Sequence, residues 1–497
     1  MPPGYTIKQP QNLSDLVKIV QDAVDQTKTV KAVGTCYAFS DVSFTSGTII
    51  EMNRYLHNIL PVDKCVLKDD SDKHVDTLFK AEAGTMIESV NENLWPSSKR
   101  DNPTGYRTLP NYTGYQGLSL AGTIGTGAHG SGLNKPPMSN IVESMHLITV
   151  GEDRKVKQCW IEPTNGITDL AKFQAEYGPR GWKLIQDDDT FYSTLVHIGC
   201  FGIVYSYTSR VESAFYLEEE RYLQTWEETK KQLPDLYAAN LKPRDEKGCL
   251  HSFEIWINPY PVLDIKTRKL EVYSVVTTYK WAEPPRKHHR PPCFSASPQF
   301  NENLRKFVVG TTKLAPWFIP EILHVALMAT TERHPVTMPC TEALDFGAQN
   351  STKVVVSDMG IDAHDPSYVT QATDKLIELF QEIRKENRHQ FATSPFSLRF
   401  TDAATAYLGP QYGRPSCMIE APILTGSPRA SDTLTQYRNL LRTQFNGRPH
   451  WGQINEMDLG KLKDLYPDTW SKFMENYNKF NRYGTFSNKF TASMGFE

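Results

Sequence analysis

Residues 116–134 read QGLSLAGTIGTGAHGSGLN and hold six glycines (117, 122, 125, 127, 130 and 132) with little bulk between the last five. Glycine at this density works against a long helix or a central strand, because each one adds about 0.5–1 kcal/mol of unfavourable entropy relative to alanine. What it permits is close approach of bare backbone, and successive N–H groups in such turns form concave anion sites suited to phosphates. A second stretch, VKAVGTCYAFSD at 30–41, has the same character: a short apolar strand, then small and hydroxyl residues from Gly34 to Ser40. Neither carries GxGxxG directly after its strand, nor GxxxxGK[ST]. A nucleotide site off a Rossmann sheet is one reading of the pair, and two tight turns in a β-rich domain is the other.

The rest of the composition narrows the class. A chain of 497 residues predicts two or more packed units. Its net charge of −3 and pI near 6.5 suggest neither nucleic acid nor an anionic membrane as the main partner. No run of 18 apolar residues predicts a transmembrane helix, and MPPGYTIKQP has no leader pattern, so a cytoplasmic protein is expected. The eight cysteines are scattered without a CxxC pair, which argues for free thiols over a zinc site or a disulfide scaffold. The pair His288–His289 lacks a companion at ligand spacing, so no metal is expected.

Periodicity places the motifs. Leu13, Leu16, Val17, Val20 and Val24 predict a helix capped at Asn12 or Ser14. Val30–Val33 and 48–52 read as strands, and 74–95 as a strand, a turn at Gly84 and a helix. The segments MHLITV and KVKQCW predict a hairpin around residues 151–153. Residues 190–211 read as a short helix, a Gly-containing turn and a strand. After about residue 213, strands alternate with acidic and aromatic stretches, and helices are predicted at 367–386 and near 432–445. The segment 282–293, AEPPRKHHRPPC, reads as an extended, solvated loop.

The order of these pieces resembles the vanillyl-alcohol oxidase type of flavoprotein, and within it the alditol oxidase and aldonolactone (gulonolactone) oxidase group. VKAVGTCYAFSD is similar to that family's first FAD loop, G-S-G-H-S-F-S after a strand. LPNYTGYQGLSLAGTIGTGAHGSGL is similar to its second, L-P-x-x-x-x-x-S-V-A-G-x-x-x-T-G-T-H-G-S-G. GRPHWGQIN followed by LKDLYP resembles its R-P-H-W-G-K and L-Y-P. Weaker echoes are HIGCFGIV at 197–204 and FSLRF…LGPQYGRPS at 396–416. The resemblance implies an α+β fold: a two-subdomain FAD-binding domain at 1–212, a cap at 213–445 with an antiparallel sheet flanked by helices, and a segment at 446–497 returning to the FAD domain. It implies FAD as cofactor, held by Gly34, Thr35, Cys36, Tyr37, Ala38, Phe39, Ser40, Ser119, Ala121, Gly122, Thr123, Gly125, Thr126, Gly127, His129 and Gly130, with Ile203, Val204 and His450.

The same resemblance sets expectations for chemistry. Flavin alcohol oxidation needs a C–H bond at the flavin, a base for the hydroxyl proton and a donor near the reduced ring. The family's Glu-x-Arg pair is Ser397–Leu398–Arg399 here, so the arginine is kept and the carboxylate is gone. Its HWGK lysine is Gln453, which hydrogen-bonds but carries no charge. A histidine after the family's YGR segment falls on Glu420, a candidate relocated base. Glu254 is either pocket-facing or solvent-facing. Tyr37 stands where covalent members attach their flavin through histidine. That leaves FAD without a covalent bond, a Tyr37 aryl ether, or attachment through another residue such as Cys36. The apolar stretch 315–328 hints at a less polar substrate, and a core helix explains it equally.

The expected function is an FAD-dependent oxidoreductase taking hydride from an alcohol or related C–H bond of a small molecule, with O2 as acceptor. Two rivals stand beside it: a flavin-binding protein without turnover, and a dehydrogenase using another electron carrier. The sequence sets neither substrate nor oligomeric state.

Overall fold

The computed structural model describes residues 4–285, 298–331, 334–345 and 353–496. His288, His289 and Cys293, discussed above, lie outside the described residues. Three sheets carry the architecture. A parallel sheet holds Thr6–Lys8, Thr48–Glu51 and Val30–Val33 in that order. Helix Leu13–Asp25 buries Leu16, Val20, Ala23 and Val24 on one stripe, and Asn12 caps it by accepting from Asp15 N–H. Of the two caps the sequence offered, the chain uses Asn12.

A six-stranded sheet follows, with Leu78–Glu82, Ile203–Arg210, Val142–Val150 and Val156–Glu162 at its centre. Val142–Val150 and Val156–Glu162 form the expected hairpin. The C-terminal segment packs against these two sheets. Val30 N–H donates to Thr485 O at 2.7 Å, Thr149 Oγ1 donates to Phe480 O at 3.0 Å, and the Phe201 and Phe473 rings lie 4.9 Å apart.

The third sheet has eight strands among the described residues, all antiparallel. Tyr216–Thr225, Tyr273–Ala282, Leu250–Ile257, Phe396–Thr401, Ser416–Leu424 and Val354–Asp362 run side by side, and Val336–Pro339 and Arg448–Pro449 close the edges. Side chains alternate across a strand, so the sheet has two unlike faces. Ile255, Ile257, Leu398, Phe400, Cys417, Ile419, Met359 and Ile361 point to one side and join a core with helices Trp226–Leu241, Pro366–Glu386 and Ala430–Phe445. Burying each large side chain there contributes about 1.5–3 kcal/mol. The opposite face is polar. Gly132 N–H donates to Phe400 O at 2.6 Å and Ser131 Oγ to Phe253 O at 2.6 Å, which tie the glycine-rich segment to the central strands of this sheet.

The apolar stretch 315–328 forms a short turn and helix Ile319–Met328. Its buried side joins the core on the apolar face of the sheet, so it does not line the polar face and carries no information about substrate polarity.

Candidate active site

Strand Val30–Val33 delivers its chain into the loop at Gly34. A Cβ on Gly34 would lie 2.5 Å from Ser119 Cβ, so only glycine lets the two glycine-rich segments touch there. The next turn puts Cys36 at φ +54°, the left-handed region. Beyond it the Tyr37 ring lies 4.8 Å from Tyr115 and 6.2 Å, edge-on, from Phe39. Phe39 and Ser40 N–H donate to Gly452 O at 2.7 and 3.3 Å, and Ser40 Oγ donates to Trp451 O at 2.7 Å. Among the described residues nothing accepts from Thr35, Cys36 or Ala38 N–H. Cys36 and Ala38 are exposed, so these donors face open space.

The second segment is not all loop. Leu120–Gly125 is a short helix, whose first turn Ser119 caps by accepting from Gly122 N–H at 3.4 Å. Leu120 and Ile124 are buried beneath it while Gly122 is exposed. Thr126 Oγ1 donates to Gly122 O at 2.7 Å, and Trp451 N–H donates to Thr126 O at 3.2 Å. The first loop, the second segment and the RPHWG stretch therefore meet at one place. A Cβ on Gly130 would fall 2.1 Å from Asn111 Oδ1, so the chain at His129–Gly130 is also pressed against its neighbour.

His129 is buried and held at both ring nitrogens, with Nδ1 2.9 Å from Gly130 O and Nε2 3.0 Å from Asp358 Oδ2. Asp358 sits on strand Val354–Asp362 of the third sheet. Burial opposes its ionisation, but the His129 hydrogen bond, with His450 and Arg399 nearby, outweighs that and holds it below the usual carboxylate range. His450 N–H donates to Asp358 O at 3.0 Å. Gly452 N–H donates to His450 Nδ1 at 3.0 Å, which leaves Nε2 as the protonated nitrogen of a neutral ring. Burial lowers this imidazole to about 4.

Gly125 O accepts from Ile198 N–H at 3.0 Å, joining the HIGCFGIV turn to the same helix. Ile203 and Val204 are buried in strand Ile203–Arg210 opposite Ile148 and Leu147. Behind the first loop, Lys31 Nζ donates to Gly199 O at 2.9 Å, and burial lowers it to about 8.

The polar face of the third sheet supplies the remaining groups. Arg399 is the register partner of Glu254, and Ser397 that of Glu420, which in turn pairs with Asp358. Arg399 Nη2 and Glu420 Oε2 form an ion pair with side chains 14% and 19% exposed. Burial disfavours the arginine charge, but Glu420, Glu254 and Asp358 together hold its pKa above the ordinary value. Burial pushes the Glu254 carboxyl up, against the pull of Arg399 and Arg221. Glu254 is therefore buried rather than solvent-facing. Ser397 Oγ, Gln453 Oε1 and Asp358 Oδ1 are buried with no hydrogen-bond partner among the described residues. Buried polar atoms are nearly always paired, so these three mark capacity left for a bound molecule.

The structure thus brings together Arg399, Glu420, Ser397, Asp358, His129 and His450. Asp358 was not anticipated; its only sequence signal is a carboxylate in the middle of the apolar strand VVVSDMGID, which also ends on Asp362. The open N–H groups of the first loop, the contact at Gly34 and the three unpaired polar atoms fit an extended cofactor running from the two loops to the polar face. Among the described residues no group of His, Cys, Asp and Glu is arranged to hold a metal.

Comparison with known proteins agrees with this geometry. Residues 6–158 match the family described as FAD binding domain, and residues 268–494 match D-arabinono-1,4-lactone oxidase. The chain is 23% identical over 494 residues to L-gulonolactone oxidase of Scyliorhinus torazame, covering 97% of this chain and 93% of that protein. It is 20% identical to L-gulono-1,4-lactone dehydrogenase of Mycobacterium tuberculosis, covering 98% and 94%. It is 22% identical to the mitochondrial L-galactono-1,4-lactone dehydrogenase of Arabidopsis thaliana, covering 95% and 75%. Among solved structures, a cholesterol oxidase from B. sterolicum superposes with a TM-score of 0.70 at 14% identity, covering 98% of this chain and 93% of that one. A solvent-stable cholesterol oxidase gives 0.71 at 12%, covering 99% and 95%. At these identities the structural matches speak for the fold alone.

Proposed function

We propose, for a chain that belongs to the vanillyl-alcohol oxidase type of FAD flavoprotein and within it to the aldonolactone oxidase group, that the polar face of the third sheet holds a small hydroxylated substrate, an aldonolactone or a close analogue, over the cofactor. The chain is an FAD-dependent oxidoreductase of the oxidase/dehydrogenase class acting on CH–OH or related donors. When bound, FAD supplies the acceptor for the hydride. The chain's own residues bind, orient and move the proton. Among the described residues no helix is long and apolar enough to cross a membrane.

The observation that carries the reading is the Arg399–Glu420 pair standing beside Ser397 on that polar face. In this proposal Glu420 accepts the hydroxyl proton as the oxygen becomes a carbonyl. Arg399 fixes the Glu420 carboxylate and sets its positive charge beside the same oxygen. Ser397 Oγ, as donor or acceptor, and Gln453 Oε1, as acceptor, take further substrate hydroxyls, because both are buried and without partners among the described residues. His450 offers Nε2–H as a neutral donor where the family's lysine charge is missing.

The cofactor is assigned to the two glycine-rich segments. Gly34 to Ser40 and Ser119 to Gly130 hold the pyrophosphate with backbone N–H groups, and Ile203 and Val204 border the ring systems. Residues 1–212 and 446–497 form the FAD unit in this reading, and 213–445 the cap. FAD is held without a covalent bond, because Tyr37 replaces the usual histidine. O2 is the proposed acceptor, and the protein is placed in the cytoplasm.

Anaerobic mixing with aldonolactones and alditols tests the reading. Loss of the flavin absorption band with an aldonolactone supports it, and an unchanged spectrum with every hydroxylated donor contradicts it. Admitting air then separates an oxidase, which recovers its colour at once, from a dehydrogenase, which recovers slowly.

A further inference from the structure

The polar face of the third sheet changes character along one of its rows. Register partners carry a single line across six strands, Leu223–Val275–Trp256–Ser397–Glu420–Asp358. Residues directly opposite each other on neighbouring strands share a face, so all six lie on the side that holds the Arg399–Glu420 pair. Ser397, Glu420 and Asp358 are polar groups of the proposed site. The other three are apolar, and they begin at Trp256, immediately beside Ser397. The neighbouring row differs. Arg221, Thr277, Glu254 and Arg399 are register partners in turn, and Arg221 pairs with Glu219 on its own strand. A polar track and an apolar track thus run side by side from the proposed reacting centre toward strand Tyr216–Thr225.

The apolar track is not an extension of a core. Its chain neighbours Ile255, Ile257 and Val276 point through the sheet and join the core on the far side. Among the described residues, Leu223, Val275 and Trp256 join none of the hydrophobic clusters of the molecule. Leu223 and Trp256 are only partly buried, and Val275 between them is 1% exposed. The indole N–H of Trp256 donates to the Glu254 carboxylate, which ties the ring to the polar track beside it.

Aromatic and aliphatic side chains beside a few placed hydrogen-bonding groups are the ordinary make-up of a site for a small organic molecule. The two parts here ask for different chemistry. Arg399, Glu420 and Ser397 suit hydroxyl and carbonyl oxygens. Trp256, Val275 and Leu223 gain only from covering by hydrocarbon. Strands lie about 4.8 Å apart, so the apolar track reaches roughly 14 Å from Ser397 to Leu223. A plain aldonolactone carries oxygen on nearly every carbon and has nothing to lay on it.

We propose that the donor is amphipathic, with a hydroxylated head at Arg399, Glu420 and Ser397 and an alkyl or aryl substituent laid over Trp256, Val275 and Leu223. Trp256 is then the residue that selects the substituted donor over the plain one. This rests on the reading of the polar face as the substrate site, and it narrows the class of substrate that face takes.

The test gives the FAD-loaded full chain, without oxygen, one aldonolactone as the free compound and as its ethyl, butyl and hexyl ethers at the primary hydroxyl. A dissociation constant for each is read from the saturation of flavin bleaching. It is expected to tighten along the series by up to about fourfold per buried methylene. In Trp256→Ser, and separately in Leu223→Ser, the tightening from ethyl to hexyl ether is expected to shrink by about fivefold or more. That quantity is a ratio within one protein, so a general loss of stability or of flavin does not move it. Bleaching by the free aldonolactone with ethers that bind no more tightly overturns this inference and leaves the reading of the polar face standing. So does a tightening that neither variant reduces. If no compound of the series bleaches the flavin, the inference and the reading beneath it fall together.

Discussion

Ser397 and Glu420 face each other as register partners on adjacent antiparallel strands, and Glu420 closes an ion pair with Arg399, two residues along from Ser397. A carboxylate at 397 would stand directly opposite one at 420. Like charges at such a position destabilise by about 0.2–1 kcal/mol, so one carboxylate at either place, but not both, suits this sheet. Ser397→Glu alone is expected to lower the urea midpoint and slow turnover. In Ser397→Glu/Glu420→Gln turnover is expected to exceed that of Glu420→Gln alone, measured by flavin reduction. No recovery would show that the carboxylate did not move across the strands.

The Arg399–Glu420 pair is largely buried and has Glu254 beside it. Removing the arginine takes the ion-pair partner from Glu420 and one of two nearby cations from Glu254, and breaking such a pair costs about 3–5 kcal/mol. Arg399→Met is therefore expected to lose most of that in a urea melt. The double change Arg399→Met/Glu420→Leu is expected to lose less than the two single changes summed.

Two loop positions test how the cofactor cradle is built. Gly34→Ala forces a Cβ to within 2.5 Å of Ser119 Cβ, and parting the two segments should leave purified protein with little flavin. Cys36, at φ +54°, bears roughly 1 kcal/mol of left-handed strain. Cys36→Gly is expected to raise the urea midpoint of the flavin-free chain.

Acid should weaken the fold through its buried histidines. Burial, aided by Lys80 and by Lys31, lowers His146 and His197 to about 3, and burial lowers His450 to about 4. Their unfolded value is near 6.5. Below about pH 6.5 the unfolded chain takes up protons that the folded chain refuses, so stability falls with pH until the folded values are reached. The slope approaches about 1.4 kcal/mol per pH unit for each histidine. Glu254, raised by burial, works in the opposite sense and offsets part of it. Urea midpoints at pH 7.5 and 5 in wild type and His146→Gln check this, with the smaller drop expected in the variant.

Much of the frame could be read from periodicity. Strand Val30–Val33 and helix Pro366–Glu386 follow their apolar patterns, the strand as a short run buried on both faces and the helix through one buried stripe. Helix Leu120–Gly125 was hidden by its glycines. Ser119 caps it, and burial of Leu120 and Ile124 outweighs the weak propensity. The two loops and Arg399 were legible through resemblance. Asp358 was not, because its partner His129 lies 229 residues away in the chain and no local pattern links them. Of the two readings open for 315–328, the core helix is the one the chain adopts; an apolar run does not by itself say which side of a sheet it covers.

The most direct test of the central claim is anaerobic, single-turnover reduction of the FAD-loaded protein by an aldonolactone, in wild type and in Glu420→Gln. Wild type is expected to bleach, and Glu420→Gln to bleach about a hundredfold or more slowly with an unchanged oxidised spectrum. Equal rates in the two proteins would contradict the assignment of Glu420 as the base.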